Sequence, residues 1–221
     1  MEKTLDNTKI IDEVAAEVRR RLEGEGSGHD WWHVHRVRNL AKRLAAEEGA
    51  DPYVAELAAL LHDIADWKFH GGDDTAGPNA SRQVLEGLGA DAATVAHVCD
   101  IVATISFKGA GVSIPMKTLE GKVVQDADRL EALGAIGIAR AFAYGGYKQR
   151  QMHVPGLAPV MHATAEEYKK SEGTTINHFH EKLLLLKDRM NTSAGRRLAE
   201  ERHRFMEDYL ARFDREWEGA S

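Results

Sequence analysis

A histidine and an aspartate stand side by side, as His62-Asp63, near the end of an apolar segment with a helical pattern. Such a segment is expected to be buried, and buried ionisable side chains are costly unless they are paired or bind a metal ion. Asp66 lies about one helical turn further on, so its carboxylate can face the same cavity. These residues are therefore candidates for a functional site, and a helix end that carries polar capping residues is the alternative.

Two further candidates lie elsewhere in the chain. His33 stands near the start of another helical pattern, with Arg36 one turn beyond it. Asp128 interrupts an apolar helical pattern at a position that is difficult to place in solvent. The alternative for His33 is a satisfied core histidine, since a single histidine is weak support for a site. The alternative for Asp128 is a structural salt bridge to Arg129 or to a neighbouring helix.

His33, His62, Asp63 and Asp128 together predict a metal site. Two imidazoles and two carboxylates can bind one divalent ion and leave coordination positions open for water. This mixed nitrogen and oxygen set differs from the ligands of structural zinc sites, and it is too rich in nitrogen for calcium. The expected cofactor is one divalent ion of manganese, iron, nickel, cobalt or magnesium.

The segments that would carry these residues are helical throughout, and no strand alternation is found in the sequence. The fold class predicted is all-α: a single-domain helical bundle over residues 1–221, with a core at about 8–144. An irregular, lid-like excursion is expected at 145–163, followed by C-terminal helices within 174–217. Helical patterns run over residues 10–22, 31–48, 51–64, 78–88, 91–105, 119–144 (one long helix or two abutting ones), 174–188 and 193–217.

Composition excludes several classes of protein. The formal net charge of -6 argues against a nucleic-acid-coating role, which would require a basic surplus. The single cysteine, Cys99, excludes an intrachain disulfide and a cysteine zinc site, and it suits a reducing cytoplasm. No signal peptide and no apolar run of membrane-spanning length is found. We therefore expect a cytoplasmic monomer or homodimer that binds neither nucleic acid nor membrane.

The same residues carry a family resemblance. His33 followed by Arg36-Val37, then His62-Asp63, then Asp128 resembles the H…HD…D signature of the HD-domain phosphohydrolases. Three longer stretches resemble a bacterial single-domain subgroup related to nucleotide (pyro)phosphohydrolases: Gly28-His29-Asp30-Trp31-Trp32-His33, Gln125-Asp126-Ala127-Asp128-Arg129 and Asn177-His178-Phe179-His180-Glu181-Lys182-Leu183. The resemblance implies a helical bundle with one divalent cation held at its centre by His33, His62, Asp63 and Asp128.

The function implied by this resemblance is hydrolysis of a phosphorylated small molecule, above all a nucleotide, including a nucleoside triphosphate that releases pyrophosphate. Asp66 is the candidate catalytic residue that would orient or deprotonate the attacking water. A polyphosphate also requires cationic partners. The candidate substrate-binding residues are Arg36, Lys108, Arg129 and Lys148, for each of which a solvated side chain is the alternative.

Two other functions stay open at this stage. A di-iron oxygenase, a chemistry that some HD relatives support, would require at least two more ligands and two iron ions per chain. A non-catalytic nucleotide-binding module would bind nucleotide without turnover.

Overall fold

A computed structural model of the chain describes residues 6–24, 28–65, 73, 75–105, 115–161 and 173–220. Every regular element within these ranges is helical, which confirms the all-α prediction. The elements are α1 Asn7–Leu22, α2 Trp31–Glu48, α3 Pro52–Leu61, α4 Ala76–Gly87, α5 Ala92–Thr104, α6 Leu119–Glu131, α7 Gly134–Tyr147, α8 Thr175–Glu181, two 3-10 turns at Leu183–Leu185 and Lys187–Arg189, and α9 Ser193–Trp217. None of these helices is long and apolar enough to cross a lipid bilayer.

The described residues form two compact units, one ending at Asp128 and the other beginning at Arg129, so α6 contributes residues to both. The organisation of residues 1–221 as a single domain stays a prediction. All four candidate metal ligands belong to the first unit.

The first unit is organised around α3, which packs against α1, α2 and α5. Every residue of this helix from Val54 to Leu61 is buried. Its single charged residue, Glu56, lies 2.6 Å from Arg38 and 3.3 Å from Lys42 of α2, so its carboxylate is compensated inside the unit. A helix that is apolar all round belongs to a protein interior. The residues that follow α3 are therefore delivered into the core.

The ends of α3 follow from local chemistry. The Asp51 carboxylate accepts hydrogen bonds from the backbone N–H groups of Tyr53 and Val54, and proline occupies the first helical position, as the sequence predicts. The helix ends at Leu61, three residues before the predicted end. Residues 62–65 continue as turns, with the Ile64 N–H donating to the Leu61 carbonyl at 3.1 Å.

The predicted helical segment 119–144, described above as one long helix or two abutting ones, consists of two helices, α6 and α7. The chain leaves helical geometry after Glu131, and α7 begins at Gly134, whose φ of 71° lies in the left-handed region that favours glycine. Gly137 then follows where a Cβ atom would lie 2.3 Å from the Ala132 carbonyl group. Only glycine fits this tight junction without a shift of the backbone.

The irregular segment begins later than predicted, because α7 extends to Tyr147, and the described part of it covers residues 148–161. It is tied to α8: the Gln151 and Met152 carbonyls accept from the first two N–H groups of that helix, each at 3.0 Å. The Asn177 side chain donates to the Leu157 carbonyl at 3.1 Å, and Glu181 accepts from the Val160 N–H at 3.0 Å.

The predicted helix over 174–188 is wrong in its second half. α8 ends at Glu181, because Lys182 adopts φ -139° and ψ -58°, and two 3-10 turns follow. A 3-10 turn places residues three apart on the same side. Leu183 and Leu186 are accordingly both buried, at 3% and 1% exposure.

Candidate metal centre

The position of His33 follows from the cap of α2. Asp30 is the N-cap residue, with an extended backbone (φ -82°, ψ 176°), and its carboxylate accepts a hydrogen bond from the His33 N–H at 2.9 Å. The cap therefore binds the third residue of the helix, as N-cap aspartates do. The side chain of His33 is fully buried. A capped first turn thus holds this imidazole inside the first unit.

His62 follows the buried helix α3, and its ring orientation is set by one hydrogen bond. Its Nδ1 lies 2.8 Å from the carbonyl oxygen of Ala59. Because a carbonyl only accepts, Nδ1 carries the proton and donates, which directs the Nε2 lone pair of the neutral ring elsewhere. Metal-binding histidines commonly donate their second N–H to a backbone carbonyl in this way.

The donor atoms of the four predicted ligands converge. The Nε2 atoms of His33 and His62 are 3.2 Å apart. Asp63 Oδ2 lies 3.4 Å from His33 Nε2 and 3.5 Å from His62 Nε2. Asp128 Oδ1, from α6, lies 3.5 Å and 3.8 Å from the same two nitrogens. Three segments of the first unit, distant in sequence, therefore place one oxygen of each carboxylate within 3.8 Å of both imidazole nitrogens.

These separations fit a single cation. Two ligand atoms that are each about 2.1 Å from one ion lie about 3.0 Å apart at a 90° angle and about 3.6 Å apart at 120°. The observed separations of 3.2–3.8 Å fall around this range. Two carboxylates also balance the charge of a divalent cation, while neutral imidazoles add none. The ligand atoms of His33, His62 and Asp128 lie within 4.8 Å of one another and could hold a metal ion, and Asp63 Oδ2 lies within 3.5 Å of both imidazole nitrogens.

The electrostatics of the cluster favour ionised carboxylates. Burial lowers the pKa of His62, but the charges of Asp63 and Asp128 outweigh burial, and the net shift of this pKa is upward. Burial raises the pKa of Asp63, yet the His62 and His29 imidazoles hold it well below its usual value. The pKa of Asp128 is lowered too, because the hydrogen bond from His33 and the charge of His62 overcome burial. Both acids are thus anionic at neutral pH.

One residue of the cluster is missing from the sequence prediction. His29 Nδ1 lies 2.8 Å from Asp63 Oδ2, and the His29 and His33 rings are 5.6 Å apart in an edge-to-face arrangement. His29 precedes the α2 cap and lies outside any apolar period, so pattern reasoning gives it no role. The sequence signal that could have found it is the stretch Gly28-His29-Asp30-Trp31-Trp32-His33, which carries the subgroup resemblance but assigns His29 no role.

The predicted substrate and catalytic residues have different outcomes. Arg36 is half-buried on α2, one turn beyond His33. In the second unit, Arg129 donates to the carbonyl of Arg189, and Lys148 lies 5.8 and 5.3 Å from the ring centres of Tyr144 and Tyr147. Asp66 and Lys108 lie outside the described residues.

The helical fold and the cluster of two histidines and two aspartates agree with one family of proteins. The family model "HD domain" matches residues 31–133, a range that includes all four predicted ligands and excludes His29. The chain belongs to the HD-domain family, as its H…HD…D signature predicts.

Similarity to particular proteins extends over nearly the whole chain. The uncharacterized protein YpgQ of Bacillus subtilis is 38% identical over 216 residues, which cover 96% of this chain and 95% of YpgQ. A Lactobacillus plantarum crystal structure has a TM-score of 0.83 at 36% identity, covering 97% of this chain and 100% of that one. An HD-superfamily hydrolase from Bacillus thuringiensis has a TM-score of 0.74 at 41% identity, covering 96% and 99%.

A crystal structure of YpgQ in complex with ADP is also similar, with a TM-score of 0.75 at 35% identity, covering 95% of this chain and 96% of that one. Together with the family match, these similarities place the chain among the HD-superfamily hydrolases.

Proposed function

We propose that this protein is a divalent-metal-dependent phosphohydrolase that acts on nucleotides, with a nucleoside triphosphate that releases pyrophosphate as the first candidate substrate. The observation that carries the proposal is the pair of imidazole nitrogens, His33 and His62 Nε2, which lie 3.2 Å apart and each lie 3.4–3.8 Å from Asp63 Oδ2 and from Asp128 Oδ1. The nucleotide class is supported by the related YpgQ, whose structure was determined with ADP.

A divalent cation bound by these four side chains would neutralise phosphoryl charge and lower the pKa of a water molecule from 15.7 towards about 7. Asp66 is proposed to accept a proton from the attacking water molecule. As the proton leaves, the water oxygen bonds to phosphorus and the bond from phosphorus to the leaving group breaks. His62 Nδ1–H donates a hydrogen bond to the Ala59 carbonyl, which leaves Nε2 facing the cluster.

Phosphate binding is proposed for Arg36, which follows His33 by one turn on the same helix, and for Lys108. A guanidinium suits this task because its N–H groups can pair with two phosphate oxygens at once. Arg129 and Lys148 stay predictions as phosphate ligands.

The test is a product screen with nucleoside mono-, di- and triphosphates, each supplied with Mn²⁺, Mg²⁺, Co²⁺, Ni²⁺ or Fe²⁺. Phosphate, pyrophosphate and the nucleotide product are measured separately, and Asp128→Asn serves as the matched inactive control. We expect pyrophosphate and monophosphate from a triphosphate. Nucleotide binding without turnover would instead indicate a binding module, and two iron ions per chain with oxygen consumption would indicate an oxygenase.

A further inference from the structure

His29 has no part in the mechanism proposed above, yet it lies against one of the candidate ligands. Its Nδ1 is 2.8 Å from Asp63 Oδ2. The side chains of His29 and Asp63 are only 20% and 11% exposed. A hydrogen bond to a carboxylate at this depth is worth more than one at the surface.

The backbone around His29 explains how it reaches Asp63. Gly28 has φ 86°, in the left-handed region that favours glycine, and Asp30 is the extended N-cap of α2. His29 therefore stands between a backbone reversal and a helix cap, and the cap also binds His33. The same local structure thus positions both His29, which precedes Asp30, and His33, whose N–H binds the Asp30 carboxylate.

The hydrogen bond from His29 is accepted by Asp63 Oδ2, the carboxylate oxygen that faces His33 and His62. Because a carboxylate only accepts, His29 Nδ1–H is the donor. The acceptor Oδ2 is the same atom that lies 3.4 Å from His33 Nε2 and 3.5 Å from His62 Nε2. A carboxylate oxygen has two lone pairs. His29 uses one of them, and the second is left for a cation.

The backbone orients the Asp63 carboxylate less firmly than that of Asp128, so a hydrogen-bond partner matters more for Asp63. Asp128 lies on the helix α6, whereas Asp63 lies in the turns that follow α3. We propose that His29 is a positioning residue that holds Asp63 Oδ2 towards a divalent cation shared with His33, His62 and Asp128. This inference rests on the metal site of the proposed function but not on its substrate.

The test measures binding of Mn²⁺ alone to the full-length protein, by equilibrium dialysis or by electron paramagnetic resonance of the unbound ion. His29→Leu removes the donor, while His29→Asn keeps an N–H donor at the same distance from the backbone. The matched control is His97→Leu, because His97 is also half-buried in the first unit and pairs with Thr118 at 2.9 Å. Far-ultraviolet circular dichroism verifies the fold of each variant.

We expect His29→Leu to weaken Mn²⁺ binding by about 10- to 100-fold, the effect typical of groups that orient metal ligands. His29→Asn should restore most of the affinity, and His97→Leu should match the wild type. Equal affinity of the wild type and His29→Leu would overturn the positioning role and leave the metal site intact. Loss of affinity in His29→Asn equal to that in His29→Leu would also overturn it.

Two further results distinguish the positioning role of His29 from the existence of the metal site itself. The ligand atoms of His29, His33 and Asp63 lie within 4.8 Å of one another, so a second ion bound by His29 itself is the rival interpretation. Two Mn²⁺ ions per wild-type chain, reduced to one in His29→Leu, would overturn the positioning role in favour of a ligand role. No Mn²⁺ binding by the wild type would instead refute the proposed metal site, and this inference with it.

Discussion

The Nε2 atoms of His33 and His62 lie 3.2 Å apart, although the two residues are 29 positions apart in the sequence. His62 directs its Nδ1 proton to the Ala59 carbonyl, so its Nε2 offers a lone pair to the space shared with His33. Two carboxylate oxygens, from Asp63 and Asp128, border the same space within 3.8 Å of these nitrogens. This arrangement requires a positive charge, which a proton or a divalent cation can supply.

The competition between proton and cation predicts a pH dependence of metal binding. The pKa of His62 is raised above its ordinary 6.5, so its protonated form dominates in the metal-stripped protein at mildly acid pH. A cation must displace that proton. Below this pKa we expect Mn²⁺ affinity to fall about tenfold per pH unit, as loss of one proton requires, with little change above it. Calorimetric titration between pH 5.5 and 8 measures the dependence, and an affinity independent of pH would refute it.

The same groups predict how stability changes with pH in the metal-stripped protein. The raised pKa of His62 contributes stability below 6.5 that is lost as the pH rises through its folded-state value. The lowered pKa values of Asp63 and Asp128 contribute stability above 3.8 that is lost as the pH falls through their folded-state values. The cluster therefore stabilises the metal-stripped fold mainly between these limits. Saturating Mn²⁺ should raise the melting temperature more at pH 8 than at pH 6, and an equal increase at both would contradict the assignment.

The cap of α2 should support both folding and metal binding. Asp30→Ala removes the hydrogen bond to the His33 N–H, and we expect it to lower the free energy of unfolding by about 1 kcal/mol. Asp91→Ala removes the cap of α5, where Asp91 accepts from the N–H groups of Ala93 and Thr94 at 3.1 and 3.0 Å and from the Thr94 hydroxyl at 2.6 Å. Urea unfolding should show a loss of stability in both variants, at least as large in Asp91→Ala as in Asp30→Ala. Mn²⁺ affinity should fall about tenfold in Asp30→Ala alone, because only this cap orients a ligand; equal affinities would disprove the link.

The proposed catalytic role of Asp66 predicts a separation of binding from turnover. Asp66→Asn should retain Mn²⁺ but lose about 100-fold or more of the hydrolysis rate, because an amide cannot accept the proton of water. Asp73→Asn is the nearby control, since Asp73 accepts locally from the N–H and hydroxyl of Thr75 at the start of α4. Initial rates under saturating metal and substrate provide the measurement. Unchanged turnover in Asp66→Asn would remove this residue from the mechanism.

The junction between α6 and α7 should tolerate no side chain at Gly137. A Cβ atom there would lie 2.3 Å from the Ala132 carbonyl group, and we expect Gly137→Ala to cost about 1–3 kcal/mol of unfolding free energy. Gly146→Ala, on the same helix, meets no atom within 4 Å and should be neutral or stabilising by up to about 1 kcal/mol. Chemical denaturation of both variants tests this contrast, and equal stabilities would contradict the described packing.

Sequence patterns predict the parts of this protein that depend on periodic burial. The buried helix α3 is predicted because its apolar residues complete a helical pattern. Asp128 is predicted because it is an acid that interrupts such a pattern. The role of His29 is not predicted, although its stretch carries the family resemblance, because the contact with Asp63 depends on a backbone reversal at Gly28 and on a fold that joins positions 34 residues apart. The sequence does not predict that α8 ends at Glu181. The spacing of the buried Leu183 and Leu186 fits an α-helix as well as a 3-10 turn, so the apolar pattern cannot distinguish the two.

If His33, His62, Asp63 and Asp128 hold one divalent cation, the metal content of the purified protein must show it. Wild-type protein and His62→Ala are loaded with Mn²⁺, dialysed extensively and subjected to elemental analysis, with circular dichroism as the control for folding. We predict about one ion per wild-type chain and none in His62→Ala, since removal of one of four ligands opens the site. A wild type without metal, or a His62→Ala variant with a full equivalent, would refute a cation site formed by these four residues.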